Sequence, residues 1–388
     1  MRKMKKILSV ALVAAMAVTL VAGCGSKEKS EGGSDKIKIG GIGPVTGGAA
    51  VYGQAVKDGA ELAVAEINEA GGINGCQVEF DFQDDENDAE KAVNAYNTLK
   101  DWGMQALLGT VTSAPCVAVG EVAQSDNMFL LTPSGTAVEC VQYDNAFRVC
   151  FSDPMQGLES AKYIGENGIA KKVAVIYDSS DVYSSGIYEA FVKEAKNQNI
   201  EIVAAEQFTG ESKTDFSVQL QKAKDAGAEL VFLPFYYSEA ALVLKQAAGM
   251  SFSPIFFGCD GMDGILGVEG FEADLANNLL FLSPFTPTST DETIQKFVKD
   301  FQDKYGHTPN QFAADAYDGV YAIKAAMEKA DVKADMESSD VCDALKGAMV
   351  EITIDGVTAK GLKWEASGEP SKAPMVVKIA DGDYAVVE

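Results

Sequence analysis

Beyond residue 36 the chain alternates short apolar runs with segments in which apolar residues recur every three or four positions. Residues 37–43 (IKIGGIG) predict a strand. Val56, Ala60, Ala63, Val64 and Ile67 then fall on one helical face, which Gly71-Gly72 brings to an end. Val78, Phe80 and Phe82 alternate with polar residues as a strand does. A helix around 92–102 follows, then a strand at 106–109, a helix from Ala114 and a strand at 129–132. This βαβαβα order is that of a parallel sheet with helices on both faces.

The pattern restarts after Asp153, with strands predicted at 173–177, 202–208, 230–233 and 255–258 and helices near 184–197, 216–226 and 238–248. Two successive series of similar size predict two sheets and therefore two lobes. The C-terminal stretch reads as mostly helical (290–305, 313–329, 339–347) and is too short for a third domain. It is expected to return to the earlier lobes and make each of them discontinuous. The expected fold class is α/β, with two doubly wound lobes.

The start of the chain changes this picture only at its edge. Arg2, Lys3, Lys5 and Lys6 precede an uncharged apolar stretch at 7–23, the layout of a signal peptide. The stretch is at the short limit for crossing a bilayer core of about 30 Å. It ends in Val21-Ala22-Gly23-Cys24, small residues before a cysteine, as at a lipoprotein processing site. Cys24 is thus expected to become the first residue of the processed chain, diacylated on sulfur. Residues 25–35 (GSKEKSEGGSD) contain no apolar side chain and read as a flexible tether.

A formal net charge of −25 excludes nucleic acid or anionic lipid held through the general field. Besides Cys24 the cysteines are Cys76, Cys116, Cys140, Cys150, Cys259 and Cys342, an even set that permits disulfides. Cys140 and Cys150 are the nearest local pair, with free thiols as the equal alternative. No CxxC or Cys/His spacing points to a metal.

In open parallel sheets ligands sit beyond the carboxyl ends of the strands. After 106–109 comes TVTSA (110–114), and after 129–131 comes TPSGT (132–136). Each places a hydroxyl residue, Ser113 or Thr136, where a helix is expected to begin. There it can join free backbone N–H groups in holding an anion, or simply cap the helix. The run 255–258 leads into Asp260, either a site acid or an ordinary turn aspartate. Tyr183 follows 173–177, and Tyr236 and Tyr237 follow 230–233, as a pocket wall or as edge-of-core packing. The only histidine is His307, no GxSxG elbow or Walker loop occurs, and 40–43 (GGIG) lacks the dinucleotide spacing. General acid–base chemistry needs positioned titratable groups that these loops do not supply, so neither catalytic residues nor a cofactor is expected.

The order of 37–80 (IKIGGIGPVTGGAAVYGQAVKDGAELAVAEINEAGGINGCQVEF), continued by LLGTVTSAP, FLLTPSGT, VAVIYDSSDVYSSG, FYYSEAALVLKQA and the segment 301–320, resembles the Leu/Ile/Val-binding proteins. These are the branched-chain amino-acid receptors of bacterial ABC importers. The resemblance covers nearly all of the chain beyond residue 36. It implies a type I periplasmic-binding-protein fold, two Rossmann-like lobes joined by three crossing segments near Ser152-Asp153, Ser283-Pro284 and Pro374. The implied division is a signal peptide at 1–23, a lipid-anchored tether at 24–35, lobe 1 at 36–153 and 284–373, and lobe 2 at 154–283 and 374–388.

The resemblance also implies the site. Ser113 and Thr136 would hold the ligand's α-carboxylate, and the backbone carbonyl of Ser134 would face its ammonium. Asp260, where the branched-chain receptors have glutamate, would pair with that ammonium. Tyr52, Tyr183 and Tyr236 would form an aromatic wall, with Tyr237 as a possible register for the last, and Val111 and Phe312 would touch the ligand side chain. The family's first-lobe disulfide has no counterpart, because Asn87 and Thr112 stand at its positions. These loops hold no Arg or Lys to neutralise a second acid, so the expected ligand is a free amino acid that is branched-chain or otherwise apolar. The implied protein is a monomeric lipoprotein on the outer face of the cell membrane. Its partners would be the amino acid, an ABC permease and the ATPases of that permease. A sensory role, or a receptor for an amide or urea-type solute, is the alternative.

Overall fold

The computed structural model describes residues 36–387; Cys24, the expected signal peptide and the tether lie outside the described residues. The first sheet holds β1 (Lys36–Gly43), β2 (Gln77–Asp84), β3 (Ala106–Gly109), β4 (Leu130–Thr132) and β5 (Ala146–Arg148). Its order is β2-β1-β3-β4-β5, with every neighbouring pair parallel. Three helices connect its first four strands: α1 (Ala50–Glu69), α2 (Ala89–Trp102) and α3 (Ser113–Ser125). The apolar stripe predicted on α1 is buried at all five positions, and β3 is buried along its whole length. A strand covered on both faces needs a continuous apolar run, which is what 106–108 provides.

The chain then crosses through α4 (Asp153–Glu166) into the second sheet. That sheet contains β6 (Lys172–Asp178), β7 (Glu201–Phe208), β8 (Leu230–Leu233), β9 (Ile255–Gly258), β10 (Leu280–Ser283), β11 (Met375–Ala380) and β12 (Asp383–Val386). The order is β12-β11-β10-β9-β8-β6-β7. The strands from β6 to β10 are parallel, and β11 and β12 are added antiparallel at one edge. Its helices are α5 (Val182–Ala195), α6 (Ser217–Asp225) and α7 (Tyr237–Gly249). After β10 the chain returns through α8 (Glu292–Tyr305), α9 (Gln311–Lys329) and α10 (Ser338–Met349), of which α9 packs on α1, β3 and β4. The approach of α9 to α1 is close enough that a Cβ at Gly59 would lie 2.1 Å from the Ala313 carbonyl oxygen. Among the described residues no helix is long and apolar enough to cross a membrane.

The two sheets share one logic. In the first, the strand order reverses between β1 and β3; in the second, between β6 and β8. Loops leaving neighbouring strands at such a point turn to opposite faces of the sheet and open a crevice at its carboxyl edge. The structure sets these two crevices against each other.

Candidate functional site

A small cavity lies where the two carboxyl edges meet. Most of its walls come from strand-to-helix connections. From the first sheet come Tyr52 on α1, Val111, Thr112 and Ser113 after β3, and Ser134 after β4; Phe312 reaches it from the start of α9. From the second come Tyr183 after β6, Tyr236 after β8, and Asp260 and Gly261 after β9. Eight of the nine residues singled out in the sequence thus surround one space. Thr136 is the exception: it is fully buried behind the wall and does not line the cavity. It also precedes only a short 3₁₀ turn, Val138–Val141, where an α-helix was expected. Thr112 and Gly261 line the cavity and were not foreseen. The Thr112-Ser113 hydroxyl pair was the available signal for the first.

Ser113 does not cap its own helix. Its Oγ accepts the N–H groups of Thr136 and Ala137, each at 3.2 Å, and so ties the loop after β4 to the start of α3. Arg148, a wholly buried cation on β5, holds the same loop from behind. Its guanidinium donates to the carbonyls of Gly135 (3.1 Å), Thr136 (2.5 Å) and Ala137 (2.9 Å). With its carbonyls drawn to Arg148, the loop is fixed beside the cavity. The hydroxyls of Thr112 and Thr136 are buried without a hydrogen-bond partner, as is rare for buried polar groups outside functional sites.

On the facing side Asp260 Oδ1 accepts the Tyr183 hydroxyl at 2.7 Å and the Gly261 N–H at 2.9 Å. Its own N–H donates to Gln156 Oε1 at 3.0 Å. Burial pushes the Asp260 carboxyl up to about 6, against the lowering effect of Tyr183, Gln156 and the Gly261 N–H. Gly261 is required beneath the aromatic wall, because a Cβ there would come within 2.7 Å of the Tyr183 hydroxyl oxygen. The rings of Tyr183 and Tyr236 stack at 5.0 Å, and Tyr52 packs against Phe312 at 4.3 Å. Tyr236 is the cavity residue of its pair. Tyr237 turns toward α1, where its hydroxyl accepts the Val51 N–H at 3.2 Å.

The cleft is shut. The Tyr52 hydroxyl donates to the Gly261 carbonyl at 2.5 Å and accepts the Tyr237 N–H at 3.2 Å. The Gln311 N–H donates to Asp263 Oδ2 at 2.9 Å. The six cysteines in the described part are free thiols. Cys140 and Cys150 are not bonded to each other: the Cys140 thiol is directed at the Ser113 carbonyl and that of Cys150 at the Gly135 carbonyl. Among the described residues no group of His, Cys, Asp and Glu is arranged to hold a metal.

Residues 36–383 match the periplasmic binding protein family. A leucine-, isoleucine-, valine-, threonine- and alanine-binding protein of Pseudomonas aeruginosa is 31% identical over 82% of this chain and 84% of its own length. The branched-chain amino acid transporter substrate-binding protein LivJ of Streptococcus pneumoniae, solved with isoleucine, is 31% identical. It superposes with a TM-score of 0.83 over 91% of this chain and 99% of that one. A solute-binding protein of R. palustris in complex with benzoate shares the fold at 20% identity, with a TM-score of 0.80 over 90% of this chain and 95% of that one. The fold is that of the type I periplasmic binding proteins. The chain belongs to the periplasmic binding protein family, a family of extracytoplasmic solute-binding proteins and not of enzymes, and stands among its Leu/Ile/Val-binding proteins.

Proposed function

We propose that this protein captures a free amino acid with an apolar, branched side chain and delivers it to an ABC importer. The observation that carries the reading is the polarity of the cavity. The hydroxyl residues Thr112 and Ser113 stand on one side, against a loop held by Arg148, and a single carboxylate, Asp260, stands on the other, with aromatic rings between them. That is the complement of a zwitterion. None of the lining residues is Arg or Lys, which disfavours a ligand with a second acid. In this reading Ser113 and Thr112, which line the cavity, take the carboxylate, the Ser134 carbonyl and Asp260 take the ammonium, and Tyr52, Tyr183, Tyr236, Val111 and Phe312 enclose the side chain. Mass spectrometry of the small molecule released by denaturing natively purified protein is the test: leucine, isoleucine or valine is expected, and release of a carboxylic acid without an amino group would refute the assignment.

The lobes, 36–153 with 284–373 and 154–283 with 374–388, close around the ligand. Asp260 explains why closure needs it. Keeping this carboxylate ionised in the closed cleft at neutral pH costs about 3 kcal/mol, from a shift of its pKa from 3.8 to about 6. A ligand ammonium offsets that cost, so the closed state is favoured when the site is filled.

The same shift sets the pH dependence. The ammonium stabilises the ionised form, so binding lowers the Asp260 pKa and releases a proton wherever Asp260 was protonated. Affinity is expected to be level above about pH 7 and to fall up to tenfold per pH unit below about 6. Calorimetry between pH 5 and 8 in buffers of different ionisation enthalpy reads both the affinity and the proton. An affinity unchanged from pH 7 to pH 5 would contradict the role of Asp260.

We further propose that Cys24 carries the lipid that anchors the protein to the outer face of the membrane, on the strength of the Val21-Ala22-Gly23-Cys24 sequence. Cys24→Ser is expected to leave the precursor uncleaved or to shift the protein into the soluble fraction. Unaltered processing together with detergent-dependent membrane association would refute this.

A further inference from the structure

The acid of the site, Asp260, sits in a short turn that is gripped from the opposite side of the cleft. The turn is the 3₁₀ element Asp260–Met262, which follows β9 of the second sheet. Three hydrogen bonds reach this turn and Asp263 from elements packed on the first sheet. The Tyr52 hydroxyl on α1 donates to the Gly261 carbonyl, and Gln311 supplies the other two. Its side-chain Nε2 donates to the Asp260 carbonyl at 3.3 Å and its backbone N–H to Asp263 Oδ2 at 2.9 Å. Gln311 opens α9, the helix that packs on α1, β3 and β4. Asp263 and Gln311 are each 2% exposed, and neither lines the ligand cavity.

The other oxygen of Asp263 is held from its own side. Oδ1 accepts the Tyr384 hydroxyl at 2.5 Å, from β12 at the antiparallel edge of the second sheet. Oδ2 then faces the start of α9, where the first N–H groups of a helix have no partner within it. The Ala313 N–H goes to the helix's own N-cap, Asn310 Oδ1, at 3.2 Å, and the Gln311 N–H goes across the cleft to Asp263. A carboxylate at that end also gains from the helix dipole. The backbone beside it is shaped for the contact. Gly264, at φ +110°, lets the chain after Asp263 lie against α1, since a Cβ there would come within 2.7 Å of Val51 Cγ1. Burial pushes the Asp263 carboxyl up, while the Tyr384 hydroxyl and the Gln311 N–H lower it.

We infer that Asp263 and Gln311 form the latch of the closed cleft: positioning residues that touch no ligand, hold the turn bearing Asp260 against the first-sheet side, and set how slowly a bound amino acid leaves. The inference rests on the proposed amino-acid site and its closure. When the two sides part, the Gln311 N–H and Nε2 and Asp263 Oδ2 must exchange these partners for water. The latch therefore raises the barrier to opening and leaves the first encounter of the ligand with an open cleft unchanged. Closing brings two parts of the site together at once. Gln311 holds Asp260 by its carbonyl, and Phe312, the next residue, becomes a wall of the cavity. Tyr384 keeps Asp263 aimed at α9, which gives the C-terminal strand a part in retention.

The test uses the full chain with isoleucine as the probe, at pH 7.5, and reads association and dissociation rates separately by stopped flow. Asp263→Ala is expected to release isoleucine at least about tenfold faster, the loss of one hydrogen bond to a charged group, with an association rate within about threefold of wild type. Asp263→Asn keeps an acceptor for the Gln311 N–H and is expected to release it at least about threefold more slowly than Asp263→Ala. Gln311→Met keeps the backbone N–H and the cavity lining, and is expected to release isoleucine roughly threefold to tenfold faster than wild type. It decides the matter should Asp263→Ala fail to fold. A side chain that only supported the fold would lower the melting temperature without splitting the two rates. Release by Asp263→Ala or Gln311→Met within about twofold of wild type, or equal release by the Ala and Asn variants, overturns the inference. Failure of wild-type protein to bind isoleucine, leucine or valine overturns the proposed function itself, and this inference with it.

Discussion

Replacing Asp260 with asparagine is expected to weaken isoleucine binding by roughly thirtyfold to several thousandfold while leaving the unliganded protein as stable as wild type at pH 7.5. The substitution keeps the shape and the acceptor: Oδ1 can still receive the Tyr183 hydroxyl and the Gly261 N–H, now 2.7 and 2.9 Å away. Only the charge is lost. Removing one member of a buried, hydrogen-bonded charge pair typically costs about 2–5 kcal/mol, which gives the range above. Stability is not lost with the affinity. A carboxyl whose folded pKa lies above its unfolded value stabilises the fold only while protonated, and that contribution is gone once pH has risen through about 6. At pH 7.5 the variant therefore loses nothing by giving up the charge. Titration calorimetry and thermal melts on the two proteins decide it. Binding within threefold of wild type, or a melting temperature several degrees lower, would make Asp260 a structural residue.

The second large effect lies away from the ligand. Lys372→Met is expected to destabilise the protein by about 3–5 kcal/mol, a fall in melting temperature of about 4–7 °C for a chain of this length. The Lys372 side chain is fully buried, with Nζ 2.6 Å from Asp315 Oδ1 and 2.5 Å from Thr358 Oγ1. Asp318 lies in the same network, accepting the N–H groups of Val357 (2.8 Å) and Thr358 (2.9 Å) and the Thr358 hydroxyl (2.5 Å). Methionine retains the aliphatic stem but leaves two buried carboxyls with no cation. Burial holds Asp315 at about 6 even with Lys372 lowering it; without Lys372 it must rise. A raised carboxyl costs stability as pH climbs through its pKa, so the deficit should be larger at pH 8 than at pH 5. Denaturant melts at both pH values are the check. A loss under about 1 kcal/mol at pH 8 would mean that the pair is not closed to water.

The parts of the fold that periodicity revealed are those whose signal is local. The runs 106–109, 230–233 and 255–258 emerge as β3, β8 and β9 with the same bounds, because a central parallel strand is apolar throughout. Of the missed strands, β10 follows that rule and was passed over, while the others break it. β5 is three residues long and ends in Arg148, whose burial makes sense only once three carbonyls from the loop at 135–137 are brought to it. β11 and β12 are added antiparallel at the edge of the second sheet, and β11 carries Lys378 between its buried Val377 and Ile379, in a stretch read as mostly helical. α4 was absorbed into the first crossing, although Pro154 in its first turn is a usual helix opening.

The site divides in the same way. Ser113, Tyr183, Tyr236 and Asp260 stand just past the carboxyl ends of strands, where the topology alone directs attention. Tyr52, Val111, Ser134 and Phe312 became legible only through the resemblance to a known family. Gln156 and Arg148 were not legible at all, since their meaning depends on partners such as Asp260, which is 104 residues from Gln156.

The central claim is that the cleft recognises both charged ends of one small molecule, and three compounds with the same side chain test it. Isoleucine, 3-methylpentanoate, which lacks the amino group, and 2-methylbutylamine, which lacks the carboxylate, are titrated into the same protein at pH 7.5. The account predicts saturable binding of isoleucine and affinities at least about a hundredfold weaker for the other two, because each leaves half of the site buried and unpaired. Binding of 3-methylpentanoate within about threefold of isoleucine would show that Asp260 recognises no ammonium and that the cleft is built for a carboxylate alone.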